Sequence, residues 1–199
     1  MCSSDLGMMV TQGCAVYTNY LFLSFLPLYL VDTRGLEDLG AGWVTGVTYG
    51  IAAVGSLGVA VLSDRALRGK DVRTGVRRRS VVTTLLMAAP LLALPWVSNI
   101  ALIVVLISWV LVFVFSAITL NYALAGDLTV DKRSAGRVFA LVTLGGNLFG
   151  LLAPIVTGYL VDGTGSYTLP FVVAVVLLGI GAVASARLSR RTLQPAASN

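Results

Sequence analysis

"LSDRALRGKDVRTGVRRRSV", residues 62–81, carries seven of the fourteen Lys and Arg residues in a chain of 199. No charge follows it from Val81 to Gly126, and Leu6 to Val31 is a second charge-free run. Charged residues make up only 12% of the chain and hydrophobic ones 57%, with a mean hydropathy of +0.89. A soluble domain carries about 25% charged residues, and this chain could not supply a soluble fold with a polar surface. The pattern reads as a membrane protein, and the basic knot as a loop too costly to carry across hydrocarbon. The net charge of +5 therefore belongs to topology, not to a nucleic-acid surface, because the cations lie between spans and not on one solvated face.

A spanning helix needs about 20 apolar residues to cross roughly 30 Å of hydrocarbon. Six such stretches are expected near 8–31, 41–62, 80–97, 100–124, 137–161 and 168–186, so the fold class is all-α with six transmembrane helices. If the first span starts inside, the segments 63–79, 125–136 and 187–199, with Arg137 at the edge of its span, hold thirteen of the fourteen cations. Arg34 is the exception, in a loop where Asp32, Glu37 and Asp38 outnumber it. Basic loops face the cytoplasm, which places both termini inside a plasma (inner) membrane.

Small residues recur at helical spacing. Gly42, Gly46, Gly50 and Gly58 mark one stripe, and Gly146, Gly150, Pro154 and Gly158 another, both expected to admit a neighbouring helix closely. Pro27, Pro90, Pro95 and Pro154 should bend their helices, whereas Pro170 opens the sixth span, where a missing donor costs little. The opening "MCSSDL" matches the translation of a sequencing adapter, and no cation precedes the first span. Residues 1–6 are therefore expected to be an artefact, 7–189 the helical bundle and 190–199 a cytoplasmic tail.

The loop "GVAVLSDRALRGKDVRTGVRRR", with Gly58, Asp64, Arg65 and Arg68, resembles motif A of the major facilitator superfamily. Ala60 stands where a Gly is common. The phrases "NYLFLSFLPLYLVDTRGL", "YALAGDL" and "GGNLFGLLAPIVTGYLVDGTGSYTLPF" are similar to the anion:cation symporter family, over nearly all of residues 17–172. The resemblance implies the C-terminal six-helix half of a transporter for sugar acids or other organic anions, coupled to H⁺ or Na⁺. It also implies that Asp64 caps a neighbouring helix start while Arg65 and Arg68 pair with acidic groups, latching two halves. Arg77, Arg78 and Arg79 read as plain anchors.

A transport site is expected at mid-membrane depth, where polar groups are expensive and usually functional. No span carries a Lys, Arg, Asp or Glu in its middle, so this bundle offers neither a proton relay nor a fixed positive charge. It offers uncharged hydrogen-bonding groups instead. Gln12 and Asn19 share a face of the first span beside Tyr17 and Tyr20; Ser116, Thr119, Asn121 and Tyr122 sit in the inner half of the fourth. Thr143, Asn147, Gly150 and Pro154 form one stripe of the fifth. Asn147 leads as a ligand group because an amide both donates and accepts, and an interhelical hydrogen bond is the equal alternative. Thr119 and Thr143 can also bond back to their own helices.

The absence of His, with Lys70 and Lys132 both in loops, closes Ser-His, Cys-His and Ser-Lys chemistry, so no enzyme and no cofactor is expected. Cys2 and Cys14 have no metal or redox spacing. The leading expectation is one half of a secondary transporter for a small organic anion, needing an N-terminal six-helix half that carries the anion-holding Arg and the coupling carboxylates. The alternative is a complete six-helix protein acting as a homodimeric transporter or a channel subunit.

Overall fold

The computed structural model describes residues 3–67, 75–129 and 132–189. Among the described residues, six stretches of helix are long and apolar enough to cross a membrane. They are α1 (Ser3–Arg34), α2 (Asp38–Leu67), α3 (Val76–Met87) continued by a 3₁₀ segment (Ala89–Trp96), α4 (Ile100–Leu128), α5 (Lys132–Thr164) and α6 (Thr168–Leu188). Helix is what such sequences must form, because hydrocarbon offers no partner for a free backbone N–H or C=O. The helices overrun the apolar stretches by up to five residues at each end, since polar ends continue the backbone hydrogen bonding into the interface.

Loop chemistry sets where the helices stop. Gly35 adopts φ +66°, which folds the chain back so that the Leu36 N–H reaches the Leu30 carbonyl at 3.3 Å. Gly165, at φ +62°, ends α5 in the same way, its N–H on the Val161 carbonyl at 2.8 Å. Asn99 starts α4, its Oδ1 accepting from the N–H groups of Ala101 and Leu102 at 2.9 and 3.3 Å.

The third span breaks where two prolines fall five residues apart. Pro90 has no N–H to give, so the helix tightens into 3₁₀ geometry after Met87. The Met87 carbonyl is taken by the Trp109 indole N–H of α4 at 2.9 Å. The Leu94 carbonyl accepts from the Tyr29 hydroxyl at 3.3 Å, and Arg34 donates to the Pro95 carbonyl at 3.5 Å. Neighbouring helices thus make good the backbone groups the prolines disturb. By contrast, Pro27 and Pro154 lie inside unbroken α1 and α5.

Helix α1 is the centre of the bundle and α2 its periphery: half of α1's spanning stretch is buried, against 11% of α2's. The tightest crossing is α1 on α5. A side chain at Gly146 or Gly150 would come within 3.2–3.3 Å of Gln12, Val16 or Tyr20, and one at Gly13 within 2.7 Å of Phe149. The α5 stripe therefore does what its spacing predicts. The α2 stripe does not, among the described residues: nothing lies within 4 Å of a Cβ built on Gly42, Gly46, Gly50 or Gly58. Off that stripe, Gly55 makes the close α2–α4 contact, against Val112 at 2.6 Å.

Candidate functional site

The predicted polar residues divide into a buried set and an open set. Gln12 and Asn121 are buried, at 1% and 0% exposure. The Asn121 amide nitrogen donates to Gln12 Oε1 at 2.9 Å and to the Met8 carbonyl at 3.0 Å. Their side chains thus join α4 to α1, and in this conformation both are buried and engaged with one another. Asn19 is half-buried and engaged as well: the Tyr49 hydroxyl of α2 donates to its backbone oxygen at 3.1 Å and its Oδ1 at 3.3 Å.

Four predicted residues stay open: Tyr20, Thr119, Thr143 and Asn147. They fall on three helices that packing draws together. Tyr20 of α1 lies against Gly150, one turn from Asn147 on α5. Thr143, one turn the other way, shares a 3.0 Å hydrogen bond with the Tyr122 hydroxyl of α4, which stacks on Phe139. Thr119 is one turn from Tyr122. Asn147 sits about 1.5 Å from the midpoint of α5, and Thr143 about 6 Å nearer the basic end than Asn147, at roughly 1.5 Å of rise per residue.

Helical spacing alone puts Thr143 and Asn147 on one face of α5, but the Tyr122–Thr143 bond that ties α4 to α5 was not visible in either helix. The side chain of Asn147 has no hydrogen-bond partner among the described residues, so both its donor and its acceptor are available. The strip can hydrogen-bond hydroxyls or a carboxylate, yet it contributes no charge.

At the basic end the described residues make pairings that the sequence did not name. Asp64 does not cap α3, whose N-cap is Gly75 without a side-chain hydrogen bond. Its carboxylate instead accepts from Arg77 Nη1 at 2.9 Å. Arg77 Nε also contacts Asp127 Oδ2 at the end of α4, an ion pair without hydrogen-bond alignment. Arg77 is therefore no plain anchor: it bridges carboxylates from two helices. Its side chain is 14% exposed, against 27% for Asp127 and 64% for Asp64, so the Asp127 contact is the less screened of the two. Arg65 is exposed and makes no ion pair among the described residues, and Arg68 lies outside the described residues. Asp127 was missed in the sequence; the signal was a carboxylate at a helix end where cations dominate.

The opposite end is clasped by aromatics. The Tyr167 hydroxyl donates to Asp32 Oδ2 at 2.8 Å, and Tyr29 meets Tyr167 and Phe171 edge-on at 5.3 and 5.4 Å. Burial, reinforced by the Asp32 carboxylate as hydrogen-bond acceptor and as charge, pushes the Tyr167 phenol well above the ordinary tyrosine range.

Six spanning helices packed together, with a basic stretch after the second, have the make-up of a transporter bundle. Residues 8–198 match the family profile of the Major Facilitator Superfamily. The chain belongs to that superfamily. It is 29% identical over 181 residues to the probable galactarate/D-glucarate transporter GudP of Bacillus subtilis, covering 90% of this chain and 38% of GudP. It is 31% identical over 177 residues to the probable sulfoacetate transporter SauU of Cupriavidus necator, covering 86% and 40%. The hexuronate transporter of Bacillus subtilis is 29% identical over 162 residues, covering 79% and 38%. The chain spans about two-fifths of the length of these relatives. It is a multi-pass membrane protein of a family of transporters, and similar to carriers of organic anions.

Proposed function

We propose that this chain forms the C-terminal six-helix half of a secondary transporter that moves a small organic anion, a sugar acid or carboxylate, by alternating access. The observation that carries the reading is the open strip of Tyr20, Thr119, Thr143 and Asn147, centred on Asn147 near mid-membrane in a bundle whose other span amides, Gln12, Asn19 and Asn121, are each engaged by another helix. An unpartnered amide at that depth is costly unless something polar visits it. The strip carries no charge, so an N-terminal six-helix half supplies the cation that holds the anion and the carboxylates that couple H⁺ or Na⁺. The names of the relatives, carriers of galactarate, sulfoacetate and hexuronate, support the substrate class.

Both ends of the chain lie in the cytoplasm, with the Asp64–Arg77–Asp127 cluster on the same side of an inner membrane. Engineered thiols test the topology: an impermeant maleimide added to intact cells should label Thr164→Cys and spare Arg187→Cys. The substrate reading is tested by joining the chain to the part of Bacillus subtilis GudP that it does not match and measuring uptake of labelled D-glucarate and galacturonate. Uptake of either that falls at least tenfold in Asn147→Ala supports the proposal. Uptake indifferent to Asn147, Thr143 and Thr119 together would falsify it.

A further inference from the structure

Two cavities flank α3 at the basic end, and neither belongs to the polar strip. One, of about 460 Å³, lies between α2, α3 and α4, with Val59, Leu62, Ser63, Arg79 and Phe113 among its walls. The other, of about 330 Å³, lies between α3 and α6 and includes Val82 and Ala186. Both fall in the size range of small-molecule sites, roughly 300–1,000 Å³. Arg79 and Thr83 line both, so the outward ridge of α3 separates two grooves that share one guanidinium.

Three observations give the grooves a ligand chemistry. Arg79 is exposed and, unlike its neighbour Arg77, makes no ion pair among the described residues. Helix α3 begins at Gly75 with no side-chain cap, which leaves its first N–H groups, beginning with that of the lining residue Val76, without an intrahelical acceptor. Independently of both, Ser63 lines the larger cavity at 6% exposure with a hydroxyl that has no hydrogen-bond partner. A guanidinium, a helix start and an unpaired buried hydroxyl together suit a phosphate oxygen.

The walls then decide which phosphate. The larger cavity reaches from Val76 to Thr84 along α3, about 12 Å of helix, with Ser80, Thr83 and Thr84 on the α3 side and Val59, Leu62 and Phe113 forming an apolar wall on the α2 and α4 side toward the membrane interior. That gradient from cationic to apolar is the shape of an amphiphile, and a free anion has no use for it.

We propose that Arg79 holds the headgroup phosphate of an anionic phospholipid in the adjoining leaflet, with an acyl chain along the apolar wall of the larger groove and the smaller groove, lined by Arg78, Arg79, Val82, Thr83 and Ala186, beside the headgroup. The lipid would tie α2 to α3 beside Arg77 and so stabilise the helix ends that position Asp64.

The test is native mass spectrometry of the full chain in detergent, titrated with dioleoyl-phosphatidylglycerol, dioleoyl-phosphatidylcholine and glycerol phosphate. Arg79→Gln should weaken phosphatidylglycerol binding about tenfold, the scale of a charge-assisted hydrogen bond. Arg79→Lys should restore most of it. Arg137→Gln and Arg187→Gln, exposed cations on α5 and α6 with the same charge loss, should change it less than twofold. Val59→Trp should weaken binding by filling the groove with no change of charge, circular dichroism confirming its helix content. Equal losses in all three glutamine variants, binding of glycerol phosphate or phosphatidylcholine as tight as that of phosphatidylglycerol, or an unaffected Arg79→Gln would each overturn the proposal. None of these readouts depends on the transported substrate or on the other half.

Discussion

Two glycine substitutions separate the crossing that holds the bundle together from a stripe that holds nothing within it. A Cβ at Gly145 would fall inside contact distance of the Met9 carbonyl oxygen, 2.5 Å from Met9 Cγ and 3.0 Å from the Met9 carbonyl carbon. Two of these three atoms are backbone, so no rotamer change relieves the clash, and α1 and α5 must separate by about 1 Å to restore ordinary van der Waals distance. Overpacking of this kind costs about 1–3 kcal/mol, and the better helix propensity of Ala returns about 0.5–1 kcal/mol. Taken at their midpoints, these leave a net loss in Gly145→Ala of about 1.2 kcal/mol, which for a chain of this size lowers Tm by roughly 2–5 °C.

Gly46→Ala is the control: nothing lies within 4 Å of the new methyl. It should leave Tm unchanged or raise it by up to about 4 °C through helix propensity alone. Thermal unfolding of the purified chain in one detergent, followed by intrinsic fluorescence and by helix ellipticity, measures both. A Gly145→Ala protein as stable as wild type, or a Gly46→Ala protein that loses as much, would refute the assignment of α1 on α5 as the tight crossing.

Three further outcomes follow from the partners seen. Asn121→Ala should cost about 0.6–1.7 kcal/mol, the range for interhelical polar contacts in lipid, and lower Tm, whereas Asn147→Ala should leave Tm unchanged because that amide has no partner to lose. In a double-mutant cycle by thermal unfolding, Arg77→Gln with Asp127→Asn should show the larger coupling, and Arg77→Gln with Asp64→Asn no more than about 1 kcal/mol because Asp64 is largely solvated. The raised Tyr167 phenol predicts alkaline sensitivity. Below the ordinary tyrosine pKa of about 10 it is protonated in folded and unfolded chains alike; above it only the unfolded chain releases the proton, so the stability it contributes falls as pH rises. The Tm advantage of wild type over Tyr167→Phe should therefore shrink from about pH 10 upward, and an advantage that grew there would contradict the Asp32 bond.

How much of this could be read in advance depended on whether the cause was local. Hydropathy over 20 residues is local, and all six spans were legible; proline was a weaker guide, since Pro90 and Pro95 break the third span whereas Pro27 and Pro154, read the same way, lie inside unbroken helices. The closing of Gln12 onto Asn121 was not: the residues are 109 positions apart, and helical period says which face a side chain occupies but not what that face meets. The two glycine stripes make the same point, since equal spacing gave a packed α5 and, within this chain, an unpacked α2.

Charge is the intermediate case. Sign balance along the chain separated basic from acidic loops, yet it treated Arg77, Arg78 and Arg79 as one anchor. Only the fold tells them apart, because successive residues on a helix point about 100° from one another. That rotation turns Arg77 toward the carboxylates of α2 and α4 and leaves Arg79, 200° further round, over the grooves beside α3. A cluster of cations at a helix start is thus several devices, and its individual members acquire roles from whichever neighbouring helix each one faces.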